Sequence, residues 1–302
     1  MAVKALTLAD MDHLSAGKRA RLHRLLYKYG PGHGTLMVLP YDQGLEHGPR
    51  DFFPNPVSAD PAYILSLAKD AGFSAVAFQY GTSEKFIGRF AGEVPLILKL
   101  NGKTEVPSDA HPLSPLNSRV EEAVRLGADA VGYTLYVGSS RQDEDFHQFM
   151  EVRSEAERYG MPVVVWAYPR GDAVEARGGR DSLWAIDYAA RTAAELGADV
   201  VKVNFPKLPP PEKRANHPKP YNELEESDDA MIRRVVASAF KTLVILSGGE
   251  KGEDEAVLRK IQLTMEAGAT GLIFGRNIWQ RPYDQAISIC EKIREILVNV
   301  RR

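Results

Sequence analysis

Leu196-Gly197-Ala198-Asp199-Val200-Val201-Lys202-Val203 runs from a helix-ending glycine straight into a short β-branched stretch. Glycine closes helices because it takes the left-handed conformation without a Cβ penalty, and consecutive valines suit a buried strand. The same junction recurs at Ala71-Gly72-Phe73-Ser74-Ala75-Val76-Ala77-Phe78, at Leu126-Gly127-Ala128-Asp129-Ala130-Val131-Gly132-Tyr133 and at Ala267-Gly268-Ala269-Thr270-Gly271-Leu272-Ile273-Phe274. Between these repeats, four further apolar runs begin near Leu36, Pro95, Pro162 and Leu243, which makes eight strands. Each run is apolar on both faces, as expected of parallel strands covered by helices on one side and by packed core on the other. The connections read as helices: Asp60-Pro61 supplies an N-cap carboxylate and a first-turn proline, Ile64, Leu65 and Ala68 form one face, and Gly72 ends the segment. Val257, Leu258, Ile261 and Met265, with Gly268 behind them, repeat the pattern before the last strand.

Strands alternating with helices eight times give a closed (β/α)8 TIM barrel or a doubly wound open sheet. The four-fold βαβα repetition favours the barrel, where alternate strands supply alternate layers. The expected architecture is an α/β single domain, with a barrel over 36–302 and an N-terminal helical extension over 1–35. The basic stretch in that extension (Lys18, Arg19, Arg21, Arg24, Lys28) reads as the solvated face of a helix closing the barrel bottom. Residues 205–228 carry six prolines and form either a lid over the site or a surface or subunit-contact insertion.

Composition narrows the function classes. Hydrophobic residues are 44% and charged residues 26% of 302, close to ordinary globular usage. Lys+Arg 38 against Asp+Glu 40 leaves a net charge of -2, with no global field to hold nucleic acid. The single cysteine, Cys290, excludes an intrachain disulfide and a zinc site built on several thiolates, and fits a reducing, cytoplasmic setting. No apolar stretch of about 18 residues is present, so no membrane span is expected, and the first residues have no apolar signal core.

In a barrel the chemistry sits at the C-terminal ends of the strands. Ser247-Gly248-Gly249 ends the seventh strand and Gly275-Arg276 the eighth. Glycines there let backbone N–H groups approach an oxyanion, serine and arginine add donors, and a helix N-terminus favours negative charge. A phosphate site is therefore expected, with turn glycines and an N-cap serine as the alternative. Lys202 lies in a run otherwise fit for burial, where an unpaired ammonium is costly. Desolvation makes a lysine a neutral nucleophile able to form a Schiff base with a carbonyl, unless a carboxylate simply pairs with it. Lys99 in Leu96-Ile97-Leu98-Lys99-Leu100 fits the same description, so the residues leave two candidate lysines. Asp42 and Tyr168 suit acid/base work by type and position, with ordinary core hydrogen bonding as the alternative. Glu46-His47 has the donor types of half a metal site, but no second histidine stands at ligand spacing, so no metal is expected. The glycines at 30, 32 and 34 precede the first strand and open no helix, so no dinucleotide cofactor is expected either.

Tyr41-Asp42-Gln43-Gly44-Leu45-Glu46-His47-Gly48-Pro49, Leu98-Lys99-Leu100-Asn101-Gly102, Val165-Trp166-Ala167-Tyr168-Pro169-Arg170-Gly171, Val201-Lys202-Val203, Ser247-Gly248-Gly249 and Phe274-Gly275-Arg276-Asn277 together resemble the archaeal-type (DhnA-like) class I fructose-1,6-bisphosphate aldolases, from about Leu36 to Arg281. The resemblance implies a TIM barrel and reversible, metal-independent cleavage of fructose 1,6-bisphosphate to dihydroxyacetone phosphate and glyceraldehyde 3-phosphate. It also implies a phosphorylated sugar as partner and a homo-oligomer. The family's Schiff-base lysine falls on Lys202, its acid/base tyrosine on Tyr168 with Trp166 lining the site, and its strand-one aspartate on Asp42. Its phosphate loops fall on Ser247, Gly248, Gly249, Gly275 and Arg276. Arg170 is then the expected contact for the second phosphate and Lys99 a neighbouring cation that helps hold Lys202 neutral. Many archaeal members read Asp-His-Gly where this chain has Asp42-Gln43-Gly44. Related barrels with the same lysine act as transaldolase-like or thiolase-like enzymes on other phosphorylated ketones. A non-catalytic phosphate-binding barrel is a third reading, which the joint presence of Lys202, Tyr168 and Asp42 opposes.

Overall fold

A computed structural model describes residue 3 and residues 5–248 and 253–300. Eight parallel strands close into a barrel in sequence order: β1 (Leu36–Pro40), β2 (Ala75–Gln79), β3 (Leu96–Lys99), β4 (Ala130–Val137), β5 (Val163–Pro169), β6 (Val200–Val203), β7 (Leu243–Ser247) and β8 (Gly271–Ile273). The ring is completed by β8 against β1, with Met37 opposite Leu272. A helix lies between each pair of strands, which is the (β/α)8 architecture.

Strand side chains alternate between faces, so each strand feeds two cores. Val38, Ala75, Ala77, Ile97, Ala130, Val164, Val200 and Ile245 fill the barrel interior. Their neighbours in sequence, including Leu39, Val76, Leu98, Val131, Val165, Val201 and Leu246, pack outward against the helices. This alternation aims Lys99, Trp166 and Lys202 inward near the C-terminal end of the barrel. Gly132 gives them room, because a Cβ there would lie 2.7 Å from the Lys99 chain and 2.8 Å from the Trp166 ring.

The helix Pro61–Asp70 begins as its sequence dictates: the Asp60 carboxylate accepts from the Ala62 N–H at 2.9 Å, and Gly72 follows the helix with φ +67°. The N-terminal basic stretch differs from expectation. The helix Ala16–His23 does close the barrel bottom, with Leu22, Leu25 and Leu26 joining the interior cluster. Its cations, however, are not simply solvated. Lys18 is buried and ion-paired with Asp199 at 3.0 Å and with Glu157, while Arg24 Nε donates to Asp129 at 2.7 Å. Asp129 and Asp199 occupy the same place in the repeat, just ahead of β4 and β6, and present carboxylates at the bottom of the barrel. Among the described residues, no helix is long and apolar enough to cross a membrane.

Candidate active site

Asp42, Trp166, Tyr168, Arg170, Lys202, Ser247, Gly248, Gly275 and Arg276 surround one cavity of about 650 Å³ at the C-terminal mouth of the barrel. They come from β1, β5, β6, β7 and β8 or the turns that follow them, so closure of the barrel rather than proximity in sequence unites them. Gly249 lies outside the described residues. Lys99 sits behind the cavity wall, wholly buried.

The two lysines prove to be in opposite circumstances. Lys99 Nζ donates to Thr134 Oγ1 at 2.7 Å and to Asp42 Oδ2 at 3.1 Å, and it lies 4.6 Å from the centre of the Trp166 ring. It is a strand-end lysine paired with a carboxylate. Lys202 is also buried but has no carboxylate at ion-pairing distance among the described residues; its Nζ is hydrogen-bonded to the Tyr168 hydroxyl. Burial pushes the Lys202 amine down to about 7, with Arg170 and Lys99 adding to the effect and the charges of Asp42 and Glu46 opposing it. Lys99 thus acts in the expected direction, but it comes after burial and Arg170. Burial, then the charges of Glu46 and Asp42, hold the Tyr168 phenol well above its usual range. At neutral pH the pair offers a substantially unprotonated amine touching a protonated phenol.

The glycines of the β7 and β8 turns are dictated by close approach. A Cβ on Gly248 would meet the Phe274 ring at 1.8 Å, and one on Gly275 would meet the Pro40 carbonyl at 3.0 Å. Ser247 Oγ donates to Asn204 Oδ1 at 3.0 Å, and the Asn204 amide donates to Asp181 at 3.1 Å. Arg276 opens the short helix Arg276–Trp279 and lies 3.9 Å from the Asp51 carboxylate. Arg170 stacks its guanidinium 4.8 Å from the Tyr168 ring centre and reaches Asp109 only at 3.7 Å. His47 turns to Asp51 at 2.7 Å, so Glu46 and His47 do not converge. Among the described residues no three His, Cys, Asp or Glu side chains form a group able to hold a metal.

A profile of the DeoC/LacD family aldolases matches residues 36–281, most of the chain. This chain belongs to the DeoC/LacD aldolase family. It is 43% identical over 249 residues to the fructose-bisphosphate aldolase class 1 of Thermoproteus tenax, covering 82% of this chain and 84% of the relative. It is 38% identical to the enzyme of the same name from Halobacterium salinarum over 84% of this chain and 87% of that one. Among solved structures, an archaeal fructose-1,6-bisphosphate aldolase described with its catalytic lysine covalently bound to the carbinolamine intermediate of the substrate superposes with a TM-score of 0.76 at 37% identity, over 96% of this chain and 99% of that one.

This DeoC/LacD aldolase barrel also places residues at the cavity that the sequence reading passed over. Arg180, Lys207 and Lys260 line it, and Lys260 Nζ lies 4.0 Å from the Phe205 ring centre. None is at a strand end: Arg180 and Lys207 are in loops, and Lys260 is on the helix Asp254–Glu266, where an Arg-Lys pair looks like any solvated face. Of the proline-rich segment, Phe205 and Lys207 line the cavity. Farther along, His217 packs on Trp184 and the Tyr221 hydroxyl donates to Asp187 at 2.6 Å, so this part lies against the helix Leu183–Leu196.

Proposed function

We propose that this chain is a class I fructose-bisphosphate aldolase in which Lys202 is the Schiff-base lysine. The observation that carries the residue assignment is the desolvated amine of Lys202, lowered to about 7 and bonded to Tyr168, beside a second lysine already neutralised by Asp42. In the cleavage direction the neutral amine attacks the C2 carbonyl of fructose 1,6-bisphosphate, water is lost to give an imine, and the C3–C4 bond breaks with the imine as electron sink. Tyr168 moves protons during carbinolamine dehydration and at the C4 hydroxyl and the nascent enamine, Asp42 orients substrate hydroxyls and assists proton transfer, and Trp166 lines the site. Ser247, Gly248, Gly249, Gly275 and Arg276 take one phosphate and Arg170 contacts the other. A barrel domain over 36–302, an extension over 1–35, assembly into a homo-oligomer and a cytoplasmic setting remain parts of the same proposal.

The test is glyceraldehyde 3-phosphate release from fructose 1,6-bisphosphate with EDTA present, run beside borohydride reduction with dihydroxyacetone phosphate. Turnover that survives the chelator, with an adduct on Lys202, is the expected result. Lys202→Met should abolish both, and normal turnover in that variant refutes the assignment. An adduct on Lys99 would mean that the wrong lysine has been chosen, and an adduct on Lys202 without cleavage would mean a different acceptor.

A further inference from the structure

Fructose 1,6-bisphosphate brings two phosphates to the cavity, and the proposed reaction gives the second only Arg170. That guanidinium lies over the Tyr168 ring, and one of its nitrogens donates to the Pro169 carbonyl at 2.8 Å. Three further cations line the same cavity. Arg180 turns toward Asp109 as Arg170 does, at 3.8 and 3.7 Å, and Asp181, next in sequence, pairs with Lys207 at 3.2 Å. Lys260 extends this arc from the helix Asp254–Glu266. It is half-buried, rests its Nζ 4.0 Å from the Phe205 ring centre, and among the described residues has no carboxylate at ion-pairing distance. A cation over a ring face recovers only part of the hydration it gives up. Burial first and the charge of Lys207 second lower the Lys260 amine, against the opposing charges of Asp228 and Asp181. Two ammonium groups that repel one another at the edge of a cavity are both relieved by an anion placed between them.

The connectivity of the substrate decides which phosphate this is. C1 adjoins the C2 carbon that Lys202 attacks, so the C1 phosphate stays close to the end of β6. Ser247 meets that requirement, because its Oγ donates at 3.0 Å to Asn204, which follows Lys202 by two positions. C6 lies at the other end of the carbon chain, so its phosphate ends farther from Lys202. The arc of cations meets this second requirement. Lys207 and Arg180 are on loops with side chains 67% and 51% exposed, and Lys260 enters from an outer helix rather than from a strand. We propose that Lys260 is a specificity-determining residue of the aldolase reaction, contacting with Lys207 the phosphate of the aldehyde half. That group is the C6 phosphate of fructose 1,6-bisphosphate and the phosphate of glyceraldehyde 3-phosphate, and Arg170 reaches it from the β5 side. An unphosphorylated aldehyde leaves the repulsion between Lys207 and Lys260 in place, so the arc selects for the phosphorylated one.

This inference rests on the aldolase reading with Lys202 as the imine-forming lysine, and the experiment separates the two. Condensation of dihydroxyacetone phosphate with glyceraldehyde 3-phosphate and with unphosphorylated glyceraldehyde is measured as kcat/KM for each aldehyde, for the parent, Lys260→Met and Lys260→Arg. Borohydride trapping is titrated with dihydroxyacetone phosphate alongside. A parent that forms no Lys202 adduct, or condenses neither aldehyde, sinks the underlying reading and this one with it. A competent parent should prefer the phosphorylated aldehyde. Lys260→Met keeps an apolar chain on Phe205 and removes the charge, so that preference should fall by about 10- to 100-fold, while Lys260→Arg retains most of it. Lys260→Gln serves if the methionine variant does not fold. A preference within threefold of the parent in Lys260→Met overturns the role. So does an equal loss with both aldehydes, which would mean that the lysine only supports Phe205. A matching rise in the dihydroxyacetone phosphate needed for half-maximal trapping also overturns it, by placing Lys260 at the C1 phosphate.

Discussion

Which of two buried lysines can act as a nucleophile is decided by its neighbours. Lys99 spends its charge on Asp42 and Thr134, whereas Lys202 meets a phenol and loses its hydration with no carboxylate at ion-pairing distance among the described residues. An amine held at about 7 is protonated below that pH and free above it. The kcat/KM for fructose 1,6-bisphosphate should therefore rise with pH through an acid limb near 7 and level off beyond it; a pH–rate series checks this, and a profile flat from pH 6 to 8 would mean that another step is being read. Tyr168→Phe keeps the ring beneath Arg170 and removes only the hydroxyl. Its kcat should fall by about 100- to 10,000-fold while the Lys202 adduct still forms, as steady-state rates and trapping together would show. Sequence could nominate both lysines because each interrupts a hydrophobic strand. It could not separate them, because the carboxylate that pairs with Lys99 lies 57 positions away and is brought beside it only when β1 and β3 enter the same barrel.

Elements were legible wherever the signal was local. Asp60 caps the residue two positions on, Gly72 and Gly197 turn left-handed where their helices end, and alternation along each strand assigns one face to the interior. The turn after β8 shows the limit of such reading: glycine at 275 was expected for anion approach, and the packing of Pro40 and Gln43 against its Cα requires it as well. Arg276→Ala, at the start of the next helix, should weaken binding of phosphorylated substrates far more than it lowers kcat; equal affinity in titration calorimetry would remove it from the phosphate site. The basic N-terminal helix was misread because its partners are distant in sequence. Lys18 and Asp199 are 181 positions apart, and both are almost completely buried. Lys18→Met should cost about 3 kcal/mol at neutral pH, since it leaves the Asp199 charge without its buried partner. Burial already raises the Asp199 carboxyl above its unfolded value, against the pull of Lys18. Without the lysine that rise is greater, so the penalty should shrink as pH falls and Asp199 takes up a proton. Urea unfolding of parent and variant at pH 7 and pH 5 measures this; a loss that does not change with pH would mean that packing of the lysine chain, not charge, is the contribution.

At the scale of the whole molecule, the barrel and its coat of helices share every strand, so the interior face and the outward face stand or fall together. Cys290 offers a way to see this. It is the only cysteine in the chain and sits fully buried on the C-terminal helix Tyr283–Val300, within the outer core that also holds Leu39, Leu272 and Trp279. Burial raises its thiol to about 12, so at neutral pH it presents neither surface nor thiolate to a reagent. Labelling then requires an opening that detaches the last helix. If that helix comes away only when the barrel itself unfolds, the native protein should take up a thiol reagent at its global unfolding rate, and a covalently trapped Lys202 adduct, whose non-covalent contacts with the site exist only in the folded barrel, should slow the uptake further. In strong denaturant one thiol per chain should react at once. Fast native labelling that ignores the adduct would instead show a local opening of the helix Tyr283–Val300 with the barrel and its cavity intact.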